Sequence, residues 1–174
     1  MNALEIKNLR KHYPTFSLND ISLTLPMGCV MGFIGENGAG KSTTINLILD
    51  LIRRNSGSIQ ILGRDTAGGL PPELKEQIGV VLDECCFPEM LDLEDIDAVM
   101  AAAYRTWSRE RFRRYGKEFS LNPKKKIKDY SRGMKMKLSI ACALSHDSRL
   151  LILDEATSGL DPVIRDEMLD LFYE

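Results

Sequence analysis

Gly35-Glu36-Asn37-Gly38-Ala39-Gly40-Lys41-Ser42-Thr43 satisfies the pattern G-x-x-x-x-G-K-[ST] in full. Val30-Met31-Gly32-Phe33-Ile34 before it reads as a buried strand. Thr44-Ile45-Asn46-Leu47-Ile48-Leu49-Asp50-Leu51-Ile52 after it reads as a helix, with apolar residues at i, i+3, i+4 and i+7. Gly35, Gly38 and Gly40 let the backbone curl so that successive N–H groups point inward at phosphate oxygens. The helix that follows adds its free N-terminal N–H groups and the positive end of its dipole. In such a loop Lys41 bridges the terminal phosphates and the Ser42 hydroxyl ligates Mg²⁺.

The rest of the composition narrows the class of protein. The chain has 174 residues, 44% hydrophobic and 28% charged, with a net charge of −2. That is one globular domain's worth of chain, with no global basic field to hold nucleic acid. Basic runs are local, at 109–114 and in Lys124-Lys125-Lys126-Ile127-Lys128. They read as solvated faces, or as a local contact with acidic headgroups or a partner. Cys29, Cys85, Cys86 and Cys142 lack zinc-site spacing, and with no secretory signal they are expected as reduced cytosolic thiols. No apolar run has membrane-spanning length, so any membrane part is expected in another chain.

Working outward, Leu4-Glu5-Ile6-Lys7 and residues 17–25 alternate like antiparallel strands that feed the loop, with a turn at Pro26-Met27-Gly28. Ser58-Ile59-Gln60-Ile61-Leu62-Gly63 is a strand and turn. Pro71-Pro72-Glu73 opens a short helix, and Ile78-Gly79-Val80-Val81-Leu82 is a buried strand. The character changes at Asp83. From there to Tyr130 no strand is expected, and helices are predicted over 91–105 and 108–119, with Trp107 packed between them. Ser131 caps a helix over 132–144. A last helix is predicted over 162–172, with Asp161 as its cap.

The strand Leu150-Leu151-Ile152-Leu153 ends in Asp154-Glu155. An acid at the carboxyl end of a parallel strand lies where ligands bind in open α/β sheets. Asp154 is the candidate for the Mg²⁺ shell, and Glu155 for orienting or deprotonating an attacking water.

Together these motifs resemble the nucleotide-binding subunits of ABC (ATP-binding cassette) transporters. Tyr130-Ser131-Arg132-Gly133-Met134 stands where that family has its signature, and Ser158-Gly159-Leu160-Asp161 matches its D-loop. The resemblance implies an α/β fold of P-loop NTPase type with an N-terminal antiparallel β portion and an α-helical subdomain. Residues 1–82 and 131–174 would form the nucleotide-binding core, and 83–130 the helical subdomain that docks on a transmembrane permease subunit. ATP and Mg²⁺ are the implied ligands. The loop residues Gly35, Glu36, Asn37, Gly38, Ala39, Gly40, Lys41, Ser42 and Thr43 would hold the phosphates. Tyr13 would stack on adenine, Ser42 and Asp154 would hold the metal, and Glu155 with Lys41 would serve catalysis. Ser131 and Gly133 would reach the γ-phosphate held by a second nucleotide-binding subunit, giving an ATP-dependent head-to-tail dimer. The implied location is cytoplasmic, peripheral on the inner face of the cell membrane.

Two departures bear on these implications. Asp83 falls where the family usually has the glutamine of its Q-loop, so Asp83 is a candidate metal ligand, with Glu84 as another register. The family's switch histidine lies downstream of the acidic pair, whereas His12 and His146 both precede it. A C-terminally shortened form with weak hydrolysis and an uncovered sheet edge is therefore expected. The resemblance points to the ATPase subunit of a small exporter. A non-transport ABC ATPase, or a nucleotide-sensing module with little turnover, stays open.

Overall fold

The computed structural model describes residues 1–83 and 85–154 and divides the chain into two compact units, Met1–Lys75 and Glu76–Glu174. The first unit is built on a four-stranded antiparallel sheet. Strand β1 (Asn2–His12) pairs with β2 (Ser17–Pro26) on one side and β3 (Ser56–Ile61) on the other, and β3 pairs with the two-residue β4 (Arg64–Asp65). The alternation of Leu4 and Ile6 with polar neighbours drives this pairing. Ile6, Leu9, Ile59 and Ile61 are fully buried, while Glu5 and Lys7 face outward as an ion pair at 2.9 Å.

Asn8, at φ 49°, interrupts the registers of β1 with both neighbours. Its amide donates to Ser22 Oγ at 2.9 Å and its side chain to Asp20 Oδ1 at 2.8 Å, which replaces the lost ladder bonds. Opposite it, a Cβ on Gly57 (φ 90°) would lie 2.5 Å from the Asn8 carbonyl oxygen, so only glycine admits this approach.

The short helix α1 (Lys41–Ile48) follows the glycine-rich loop and buries Thr44, Ile45, Leu47 and Ile48. Helix α2 (Pro72–Lys75) closes the unit. One expectation is corrected here. Residues 30–34 are not a strand; Val30 and Ile34 are 75% and 94% exposed. A strand exists only through ladder partners, and this segment has none among the described residues.

In the second unit β5 (Ile78–Val81) and β6 (Leu150–Leu153) run parallel, with Ile78 opposite Leu150 and Val81 opposite Leu153. A parallel pair needs a long crossover, and three helices supply it: α3 (Leu93–Ala103), α4 (Arg109–Glu118) and α5 (Arg132–Leu144). Their starts are set by side-chain caps. Asp92 and Asp95 form a reciprocal capping box at α3, Ser108 caps α4, and Ser131 caps α5 through a 3.2 Å bond from Met134 N. Helix α5 packs on β5 at Gly79, where a Cβ would meet Leu151 Cδ1 at 2.9 Å and the Ala143 carbonyl at 3.0 Å.

The core of this unit gathers Val81, Leu93, Ile96, Phe112, Ile127, Leu138 and Ile140. Trp107 packs at its edge, as expected, its ring centroid 5.2 Å from that of Phe112. Its indole N–H donates to the buried carboxylate of Asp97 at 2.8 Å, and Arg109 donates to the other oxygen at 3.0 Å. A buried acid thereby has both oxygens satisfied, and α3 is tied to α4. The helix expected over 162–172, together with Glu84, Glu155 and the 158–161 motif, lies outside the described residues.

Candidate functional site

In the first unit the site is the loop 35–43. Its shape follows from two left-handed glycines, Gly38 at φ 86° and Gly40 at φ 94°. Ala39 N bonds Glu36 O at 3.1 Å, closing a tight turn between them. Gly40 is the N-cap of α1 and brings no side-chain acceptor, so no cap side chain takes the first-turn N–H groups. Thr44, almost fully buried, anchors the turn from below, with both its N–H and its hydroxyl donating to Gly40 O at 2.9 Å.

Lys41 folds back over the loop. Its ammonium donates to the carbonyls of Gly35 at 2.7 Å and Glu36 at 2.9 Å. A cation is therefore fixed above a curl of backbone that ends at a helix N-terminus, which is the electrostatic arrangement a polyphosphate requires. Ser42 is exposed on the first helical turn.

The structure adds a residue that the sequence does not single out. The ring of Phe16, just before β2, crowds the position a Cβ on Gly40 would take, at 2.9 Å, and Leu18 does so at 2.7 Å. The β1–β2 turn thus packs on the loop 35–43. Tyr13 lies in that turn, bonded to Phe16 through Tyr13 N→Phe16 O at 2.8 Å, and is 40% exposed. Lys11 Nζ stands 5.1 Å from its ring centroid. An exposed aromatic face is therefore held on the same turn that touches the loop. The hint in the sequence was the aromatic pair Tyr13 and Phe16 bracketing Pro14-Thr15.

In the second unit the in-register parallel pair brings two acids to one end. Asp154 follows Leu153 directly and donates its N–H to Val81 O at 2.8 Å; Asp83 leaves the same end of β5. The Asp83 carboxylate is not free: Arg132 Nη2 donates to its Oδ1 at 2.5 Å. Arg132 is the first residue of α5, so Asp83, Ser131 and Gly133 are brought together around that helix entry. Tyr130 is buried and donates its hydroxyl to Asn122 O at 3.0 Å, which fixes the chain entering the cap; burial raises its phenol pKa.

The two histidines have ordinary partners. His146 is buried, stacks on Tyr104 with centroids 4.3 Å apart, and donates Nδ1–H to Glu76 O at 3.0 Å; burial lowers its pKa. His12 pairs with Ser17 Oγ at 3.0 Å. Cys142 is buried, and burial pushes its thiol well up, so it is an inert core thiol. Among the described residues no group of three or more His, Cys, Asp or Glu could hold a metal ion, and no helix is long and apolar enough to cross a membrane.

Comparison with known proteins bears on this geometry. Residues 18–158 match the family described as ABC transporter. The chain is 33% identical, over 99% of its own length and 58% of the relative's, to the uncharacterized ABC transporter ATP-binding protein YhcH of Bacillus subtilis. It is also 33% identical, over 96% of its length and 55% of the relative's, to the linearmycin resistance ATP-binding protein LnrL of the same organism. The chain thus spans just over half the length of these two curated relatives. A solved structure described as the ATP binding subunit of an ABC transporter superposes with a TM-score of 0.86 at 32% identity, covering 98% of this chain and 73% of that one.

Proposed function

The chain belongs to the ABC transporter family, and we propose that it is the ATP-hydrolysing part of a subunit that drives a small exporter. The membrane-spanning part would be a separate permease chain, which would place this protein on the inner face of the cell membrane. The observation that carries the ATPase reading is the loop 35–43, where Lys41 is held over backbone that ends at an uncapped helix N-terminus. Resistance to linearmycin, in the name of one relative, favours export over import.

Each residue then has a role set by its chemistry. The loop amides and Lys41 bind the phosphates and neutralise charge as it develops during phosphoryl transfer. Ser42 and Asp154 offer hard oxygen donors, which suit Mg²⁺; the ion, when bound, screens the phosphate charge. Glu155 orients or deprotonates the attacking water. Tyr13 presents its ring to adenine. Ser131 and Gly133 complete the site of a second copy or a close relative, so the working unit is a pair of such chains.

The test is ATP turnover by the full-length protein with and without Lys41→Ala. Charged hydrogen bonds contribute about 1.5–3 kcal/mol each, so the variant should bind Mg·ATP on the order of ten- to a hundredfold more weakly. Turnover and affinity unaffected by Lys41→Ala would refute the proposal.

A further inference from the structure

Asp83, Glu89 and Leu91 are laced to the entry of α5 at three levels. Leu91 O accepts from Ile127 N at 3.0 Å, Glu89 O from Lys128 N at 3.0 Å, and Asp83 Oδ1 from Arg132 Nη2 at 2.5 Å. Lys135 adds an ion pair to Glu89 at 3.8 Å. The first two links are backbone bonds that many sequences could make. The third depends on two side chains, and both occupy positions at which this chain departs from the pattern it resembles.

We infer that Asp83 is a positioning residue for the nucleotide reaction. It holds Arg132, and with it the first turn of α5 carrying Ser131 and Gly133, in register with the segment that leaves β5. This rests on the ATPase reading above.

Three observations support it. Asp83 and Asp154 leave the same end of an in-register parallel pair, with Asp154 N bonded to Val81 O. The segment that Arg132 grips is therefore the one beside the acid-bearing end of β6. Next, a guanidinium stays charged at all working pH, and one bound to Asp83 repels any divalent cation approaching that carboxylate. This disfavours Asp83 as a metal ligand. Finally, the two side chains are 53% and 42% exposed, for Arg132 and Asp83 respectively. A pair so exposed adds little to fold stability, so a change in turnover without a change in unfolding separates positioning from folding.

The test uses the full-length protein, with kcat and KM for Mg·ATP, Mg²⁺ dependence and thermal unfolding. The variants are Asp83→Asn, Arg132→Gln, the two combined, and the swap Asp83→Arg with Arg132→Asp. Each single variant should lower kcat about two- to fivefold, the size of an exposed ion pair, with KM within about twofold. The combined variant should be no worse than the worse single one, and the swap should recover most of the loss. Unfolding should stay within about 3 °C throughout. Additive single effects, no effect of either substitution, or a failed swap with a raised Mg²⁺ requirement confined to Asp83→Asn would each overturn the inference. Wild-type protein whose turnover is absent or independent of Lys41 sinks the ATPase reading and the inference with it. Lys41-dependent turnover with indifferent Asp83 and Arg132 variants sinks the inference alone.

Discussion

Gly40→Ala should damage the loop 35–43 more than Gly38→Ala, although both glycines are left-handed. At Gly38 (φ 86°) a Cβ would meet nothing within 4 Å, so alanine there bears only the backbone cost, about 1–2 kcal/mol. At Gly40 (φ 94°) the same methyl would lie 2.7 Å from Leu18 Cδ1 and 2.9 Å from Phe16 Cζ. Overpacking of that kind costs about 1–3 kcal/mol more, giving roughly 2–5 kcal/mol in total. For a chain of this size that is a fall in midpoint of about 2–4 °C per kcal/mol. Thermal unfolding measures the stability, and titration with a fluorescent ATP analogue measures the loop. Leu18→Ala removes the closest clashing atom, so the double variant should cost at least ~1 kcal/mol less than the sum of the singles. Equal destabilisation by the two glycine substitutions, or strict additivity with Leu18→Ala, would refute the claim that the β1–β2 turn braces the loop.

Three further outcomes follow from the second unit and the sheet. His146 has a folded pKa below its ordinary value of about 6.5, so its contribution is intact above that pH and is lost as pH falls below it. Chemical denaturation from pH 7.5 to 5.5 should show stability declining by at most ~1.4 kcal/mol per pH unit from this group, and His146→Asn should flatten the decline. Leu138→Ala, at a fully buried position on α5, should cost about 2–5 kcal/mol by denaturant titration, with cooperativity kept. Gly57→Ala should be worse than either loop glycine variant, because its methyl meets the rigid backbone of Asn8 and Leu9 at 2.5–2.7 Å; soluble yield and unfolding midpoint would report it.

Most of the fold was legible because its signals are local. Period-two alternation located β1 and β2, hydrophobic runs of strand length located β5 and β6, and Ser131 before an apolar-periodic stretch marked the start of α5 at Arg132. The glycine-rich loop 35–43 was legible as the candidate site because phosphate binding demands glycines and a lysine at fixed spacing. Residues 30–34 misled because an apolar run reports burial tendency, whereas strand state depends on ladder partners that no local signal supplies. β4 was too short to leave a pattern, and the packing of Phe16 on Gly40 is a contact of shape rather than of residue type.

The pairing of Asp83 with Arg132 shows where a motif comparison loses information. Against a family pattern each residue is a separate departure, one losing an amide and one gaining a cation. Read in the fold, the two changes cancel in charge and join segments 49 positions apart. On the inference drawn above, the arginine partner disfavours Asp83 as a ligand, because releasing it to a metal would leave the guanidinium unpaired beside a divalent ion. The substitution at 83 therefore has to be judged together with the one at 132. A variant at either position alone reports the loss of the couple and not the merit of the residue, which is why the charge swap carries more weight than either single change.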